Sequence, residues 1–570
     1  MLMSSFNRRE FFRLSAASFS SLALCPLGRS DSRVDQHAYR TPSTIDRFID
    51  PLPIPARAQS HSAGSQSHYR MRMLEFRKQL HSQLPPSKVW GYEGQCPGPT
   101  FEAMRGQAIE VEWHNELPAE PLLPVDRSIH GAMPPAPLVR TVPHLHGMRT
   151  DSASDGLPER WFTPGHSVVY RYPNNQPAAT LWYHDHAMGI TRLNAYAGLS
   201  GFYLLRDEDE LKLGLPSGPY EIPLMLQDRT LSDQGQLVYT PSADDGSKMP
   251  PGVWGPQFFG DLPLVNGAIY PFLRVEPRRY RLRFLNAANT RFFNLYFNLA
   301  KRPTDIPSLV TYHQIGSDGG LLSTPVAMQR LLLAPAERAD VLIDFSGLEG
   351  KTVTLSNDAP TPYPGWNVLR AVHAPLLELM QFRVDLPRSS SKSFSVPSLA
   401  PIPRIDPVRA VTTRDFVLSD CSDPMARSHT GAGTALCSVK SSGMLINGKR
   451  YDDPVTEFPK LGTVEKWRFI NPTDDAHPMH LHLVQFQILE RQGFDYGAFV
   501  QGRMELVGTP RLPSPAEAGW KDTAIVLPRD VLTLLIHFEE FTGKYVFHCH
   551  VAEHEDNDMM RPFVVVGARV

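Results

Sequence analysis

A chain of 570 residues is long for one domain and suits two to four, at about 150 residues each. Its 42% hydrophobic and 20% charged residues are those of an ordinary globular protein, and a net charge of −2 gives no electrostatic footprint for a nucleic-acid or polyanion partner. The 53 prolines and 39 glycines favour many short strands and turns over long helices.

At the N-terminus, Asn7-Arg8-Arg9-Glu10-Phe11-Phe12 resembles a twin-arginine export signal, and the apolar run Leu14 to Leu24 is too short to span a bilayer. Residues 1–30 are expected to be a signal peptide and residues 31–65 a leader and strap. The protein is expected to be exported to a bacterial periplasm or the cell exterior, without stable membrane insertion. Cys25 follows Leu22-Ala23-Leu24, a poor lipobox, and is expected to leave with the signal. Cys96 is expected to be a buried free thiol. Cys421 and Cys437 could close a loop in an oxidising compartment, a pairing that spacing leaves open.

Three segments then share one layout: GYEGQCPGPTFEAMRGQAIEVEWHNEL, LVNGAIYPFLRVEPRRYRLRFLNAAN and LINGKRYDDPVTEFPKLGTVEKWRFINPT. Each runs from a turn glycine (Gly94, Gly267, Gly448) through strands to an asparagine (Asn115, Asn286, Asn471). In the second, Tyr280, Leu282 and Phe284 alternate with Arg279, Arg281 and Arg283, a half-buried strand pattern. Several such strands per third predict an all-β protein of Greek-key sandwiches. DLPRSSSKSFSVPSLAPIP reads as the link between the second and third of them.

Four histidine clusters follow in chain order, holding ten of the 21 histidines. His144 and His146 lie in TVPHLHGMRT, His184 and His186 in TLWYHDHAMG, and His477, His480 and His482 in AHPMHLHLVQF. A His-x-His pair on a strand presents both imidazoles on one face. Pro478 is expected to take His477 out of its strand. The last cluster, YVFHCHVAEHEDNDMM, carries His548, Cys549, His550, His554 and Met559. Strand alternation through the triplet turns His548 and His550 one way and Cys549 the other, so that three consecutive residues serve two metal sites. A thiolate with imidazoles and a weak thioether is a blue-copper ligand set, and Cys549, His554, Met559 and the displaced His477 supply it. Zinc sites have no use for the trailing methionine. Middle-third His313 and His373 stand alone, and that third reads as a spacer.

In these motifs the chain resembles the multicopper oxidases, and more closely their bacterial spore-coat laccase and bilirubin-oxidase branch. H-x-H-G, H-x-H, H-P-x-H-x-H and H-C-H-x3-H-x4-M occur in family order, and FIDPLPIP, SDGLPERWF, VEPRRYRLRFLNAANTR and WKDT extend the likeness over most of the chain. The resemblance implies three cupredoxin-like domains at residues 66–206, 207–388 and 409–570, with 389–408 as linker. It implies four copper ions: type 1 on His477, Cys549, His554 and axial Met559, and type 2 on His144 and His480. One type 3 ion would be held by His146, His184 and His550, the other by His186, His482 and His548. Asp155 and Glu555 match the carboxylates that supply protons in the family. Trp161 and Trp182 beside the motifs are expected to pack rather than relay electrons. The expected activity is laccase-like, with dioxygen and a small aromatic reductant (phenol, aromatic amine or bilirubin-type pigment) as partners and a monomer as the working form. Alternatives are a cuprous or manganese oxidase for metal tolerance, an aminophenol oxidase like phenoxazinone synthase, and a copper-free structural relative.

Overall fold

The computed structural model describes residues 45–61, 67–243, 246–300, 305–365, 373–389, 398–421 and 443–567, with the backbone of Tyr39–Arg40. The expected signal peptide, Cys25 and Cys437 lie outside them. In each third of the chain a long strand lies parallel to a second, which pairs antiparallel with a third. These are Ser67–Lys78 with Ile109–Asn115 and Ser167–Tyr172, and Glu221–Ser232 with Arg279–Asn286 and Arg338–Asp344. In the last third they are Ala410–Asp420, Val464–Ile470 and Asp530–His537. Each such sheet has a companion sheet from the same third. Each third also has its own apolar core, around Trp113 and Leu181, Phe284 and Val353, and Trp467 and Phe547. The fold is therefore all-β, in three two-layer sandwiches.

The internal repeat has a physical basis. Glu93-Gly94, Asn266-Gly267 and Asn447-Gly448 all have positive φ at both residues (51 and 68°, 51 and 73°, 54 and 65°), the requirement of a tight type I′ hairpin turn. Asn115, Asn286 and Asn471 are fully buried, and each side-chain oxygen accepts from the N–H two residues on, at 3.0–3.1 Å. Each amide nitrogen donates to main-chain carbonyls across the strand end, among them Phe162, Leu333 and Val526. These Asx turns close the same strand three times.

One expectation is corrected. The arginine face of Arg279–Asn286 is not solvated: Arg281 and Arg283 are 3% and 1% exposed. They lie in a buried network with Glu210, Glu221 and Asp340, and such pairing is what allows the charges inside.

The strap crosses between sandwiches, with the Phe48 and Leu52 N–H groups donating to Tyr270 and Phe272 and the Ala58 N–H to Thr100. Cys421 is disulfide-bonded, and Cys96 is free and buried. Among the described residues no helix is long and apolar enough to cross a membrane.

His130 clamps the first sandwich to the third. Its ring lies 2.6 Å from Asp558 and 2.8 Å from Asp452. The hydrogen bond to Asp558, aided by the nearby charges and opposed by burial, raises its pKa to about 9. A raised histidine pKa gives stability fully present below the unfolded value, about 6.5, and lost as pH rises through about 9. Wild type is expected to exceed His130→Gln by about 1–3 kcal/mol near neutral pH, less than the full shift because Asp452 is exposed. Thermal unfolding should show that gap closing in alkali; a gap constant with pH would remove the clamp.

Candidate metal centres

The companion sheets of the first and third sandwiches carry the histidine motifs. On Pro143–His146 and Ala179–Asp185, His144 lies opposite His184 and His146 opposite Trp182. On His477–Leu481 and Gly543–Cys549, His480 lies opposite His548 and Met479 opposite Cys549. His186, His482 and His550 sit just beyond the strand ends. Eight imidazoles thereby meet between the two sandwiches, none more than 6% exposed. Rings from the two sides stack, His144 on His482 at 3.8 Å and His146 on His480 at 3.6 Å. Trp182 stacks on His184 at 4.3 Å within an apolar cluster, a packing position.

Pro478 does not interrupt its strand. The strand runs through it, and the Pro478 carbonyl accepts from the His550 N–H at 2.7 Å. His477 faces away from His480 and His482 by odd-even alternation alone.

Five of the eight rings share a polarity. The Nδ1 atoms of His144, His184, His480 and His548 face the carbonyls of Asp155, Asp185, Asp522 and Cys549 at 2.6–3.0 Å, and His482 Nδ1 faces the Asp155 carboxylate at 2.8 Å. Their other nitrogens point inward, and Nε2 of His144, His184, His480 and His550 has no hydrogen-bond partner. His146 is reversed: Nε2 faces Asp522 Oδ1 at 3.0 Å, and Nδ1 has no partner. Inward atoms gather as His186, His482 and His548; His146, His184 and His550; and His144, His146 and His480, each set within 4.8 Å. His548 Nε2 lies 3.2 and 3.3 Å from those of His186 and His482. Nitrogens bound about 2.0 Å from one ion at tetrahedral angles stand roughly 3.3 Å apart, so the set fits a metal. Burial drives the His184 and His186 pKa values down to about 3 and about 4, and those of His144, His146, His480, His482 and His550 well down. These rings are neutral donors at physiological pH.

Besides Asp522, two buried carboxyls back them. Asp155 contacts His482, and Glu555 lies 3.3 Å from His186 Nδ1 and 3.2 Å from His548 Nδ1. Burial pushes Asp155 well up. It also opposes ionisation of Glu555, but His186 and His548 outweigh it and hold that carboxyl at about 2.

Behind the triplet, Cys549 Sγ lies 3.5 Å from His477 Nδ1 and 3.7 Å from His554 Nδ1, which are 3.2 Å apart. His477 Nε2 is anchored by Thr473 Oγ1 at 2.8 Å. Met559 is fully buried, and its carbonyl accepts from the Cys549 N–H. A sulfur, two imidazoles and a buried thioether are a donor set suited to copper. His554 borders a small cavity of about 10 Å³, room for about one water, lined by Phe259, Phe292, Tyr363 and Asp475 among others.

Asp522, Thr523 and Arg338 were not foreseen as site residues. Asp522 and Thr523 lie in the WKDT stretch, and no motif marks Arg338.

Two family models described as multicopper oxidase match the chain, one over residues 424–568 and one over 77–133 and 139–210. A laccase of Bacillus stratosphericus is 41% identical over 92% of this chain and 99% of its own. A laccase of Bacillus subtilis is also 41% identical, over 91% and 98%. The crystal structure of a laccase from Pediococcus acidilactici is similar with a TM-score of 0.68 and 26% identity, covering 90% of this chain and 93% of that one.

Proposed function

The chain belongs to the multicopper oxidases, laccase-like and cupredoxin-like in each sandwich, and from that premise we propose that it couples oxidation of a phenol, aromatic amine or bilirubin-type pigment to reduction of dioxygen to water. The observation that carries this reading is the triplet His548-Cys549-His550, whose middle side chain joins one donor set and whose outer two join another. His477, Cys549, His554 and Met559 would hold type 1 copper. His144 and His480 would hold type 2, and the triads His146/His184/His550 and His186/His482/His548 the type 3 pair, making four ions. Copper in these sites supplies one-electron steps from the reductant at one end to dioxygen at the other.

The remaining work falls to the chain. Backbone and Cys549 form a covalent path between the two sets. Asp155 beside His482 would store a proton, and ionised Glu555 beside His186 and His548 would accept one. Export through Arg8-Arg9 and a monomeric state belong to the same proposal.

The test is steady-state oxidation of a phenol, bilirubin, Cu(I) and Mn(II) by copper-loaded protein in an oxygen electrode. Faster turnover of the aromatic substrates is expected. No oxygen uptake with any of the four would sink the oxidase reading, and preference for a metal ion would move it to metal tolerance.

A further inference from the structure

We propose that Arg338, contributed by the middle sandwich, is a positioning residue of the trinuclear site, acting through Asp522 to fix which nitrogen of His146 faces the centre. This rests on the copper assignment above. The middle third reads in sequence as a spacer, yet Arg338 is 1% exposed and reaches the interface of the other two.

Its guanidinium grips Asp522 with both branches, Nη1 to Oδ1 at 2.7 Å and Nη2 to Oδ2 at 2.5 Å. Such a fork fixes a carboxylate in direction as well as charge. The remaining donors of Arg338 meet the carbonyls of Thr180, Ala336 and Asp318, so the fork is itself held. Thr180 lies on the strand that leads to His184. The guanidinium thus spans all three sandwiches.

Asp522 Oδ1 also accepts from Thr523 Oγ1 at 3.0 Å and faces His146 Nε2 at 3.0 Å. A salt-bridged carboxylate only accepts, so His146 must carry its proton on Nε2 and offer the Nδ1 lone pair. Five of the other seven rings hold their outward hydrogen bond with Nδ1. His146 alone needs an acceptor placed at its Nε2, and Arg338 holds that acceptor still.

Gly147, the glycine of H-x-H-G, points to the same conclusion independently. A Cβ there would stand 2.6 Å from Asp522 Oδ2 and 2.9 Å from Arg338 Nη2, and φ is +86°. The residue after His146 is bare where the Arg-Asp pair comes in.

The test compares copper-loaded wild type, Arg338→Met and Arg338→Lys by chelator titration. Total copper, the blue absorption of the Cys549 centre and the near-ultraviolet and spin-resonance signatures of the histidine centre are followed together. Losing a supporting partner of a ligand costs about 10–100-fold in metal retention. Arg338→Met is expected to release trinuclear copper at a chelator concentration lower by about that factor while the blue absorption holds. Arg338→Lys, which keeps the charge without the fork, should fall between. Should the methionine variant not fold, the lysine variant decides alone. Wild-type retention at the histidine centre, or parallel loss at both centres as for a merely structural residue, would overturn the proposal. Wild type that takes up no copper would overturn the copper assignment instead, and this inference with it.

Discussion

Cys549→Ser is expected to give a folded, colourless protein whose turnover of any reductant falls far beyond the about 10–100-fold typical of losing a supporting residue. Serine nearly matches the volume of cysteine, and Cys549 sits in a fully buried core position, so the sandwich keeps its packing. What changes is the donor. Burial pushes the Cys549 thiol well above its usual pKa, so the free site holds a neutral S–H, and a bound metal must displace that proton. A thiol yields its proton to a metal readily; an alcohol does not. The Val551 N–H, 3.4 Å from Sγ, is aimed at the charge that then develops. Absorption spectroscopy and oxygen uptake check both halves. A serine variant that stays blue would refute the assignment of Cys549, whatever its activity.

The donor residues were legible because they are covalent facts of spacing. Alternation along Gly543–Cys549 is enough to part Cys549 from His548, and the same parity parts His477 from His480. The sandwich repeat was legible too, since a positive-φ pair and a buried Asx turn each demand particular residues at fixed offsets. What escaped were the charged partners that tertiary packing brings to a side chain from distant parts of the chain. Arg281 and Arg283 read as a solvated face because nothing in their own strand announces Glu210 or Asp340. Arg338 sits 184 residues from Asp522 in the chain, and neither residue has a motif that implies the other. Pro478 fails to break its strand for a local reason: it lacks an N–H, but its carbonyl still accepts from the His550 N–H.

Glu555→Gln should leave the protein blue and slow oxygen reduction by about 10²–10⁴-fold, the range for losing a positioned proton-transfer group. Glutamine preserves the shape of the fully buried Glu555 side chain, but it neither takes nor gives a proton. Asp155 and Glu555 are pushed apart in opposite senses. Burial raises Asp155, which favours the protonated form, whereas His186 and His548 hold Glu555 at about 2 and so ionised across the neutral range. Paired groups displaced in opposite directions divide the roles of proton store and proton acceptor. The half-reactions separate this from damage to the metal site. Mixed anaerobically with a phenol, the variant should bleach as fast as wild type, because the Cys549 set is untouched. On admitting oxygen, its colour should return more slowly by the factor above. Return at the wild-type rate would take Glu555 out of the mechanism, and slow bleaching would show that the substitution reaches the Cys549 set.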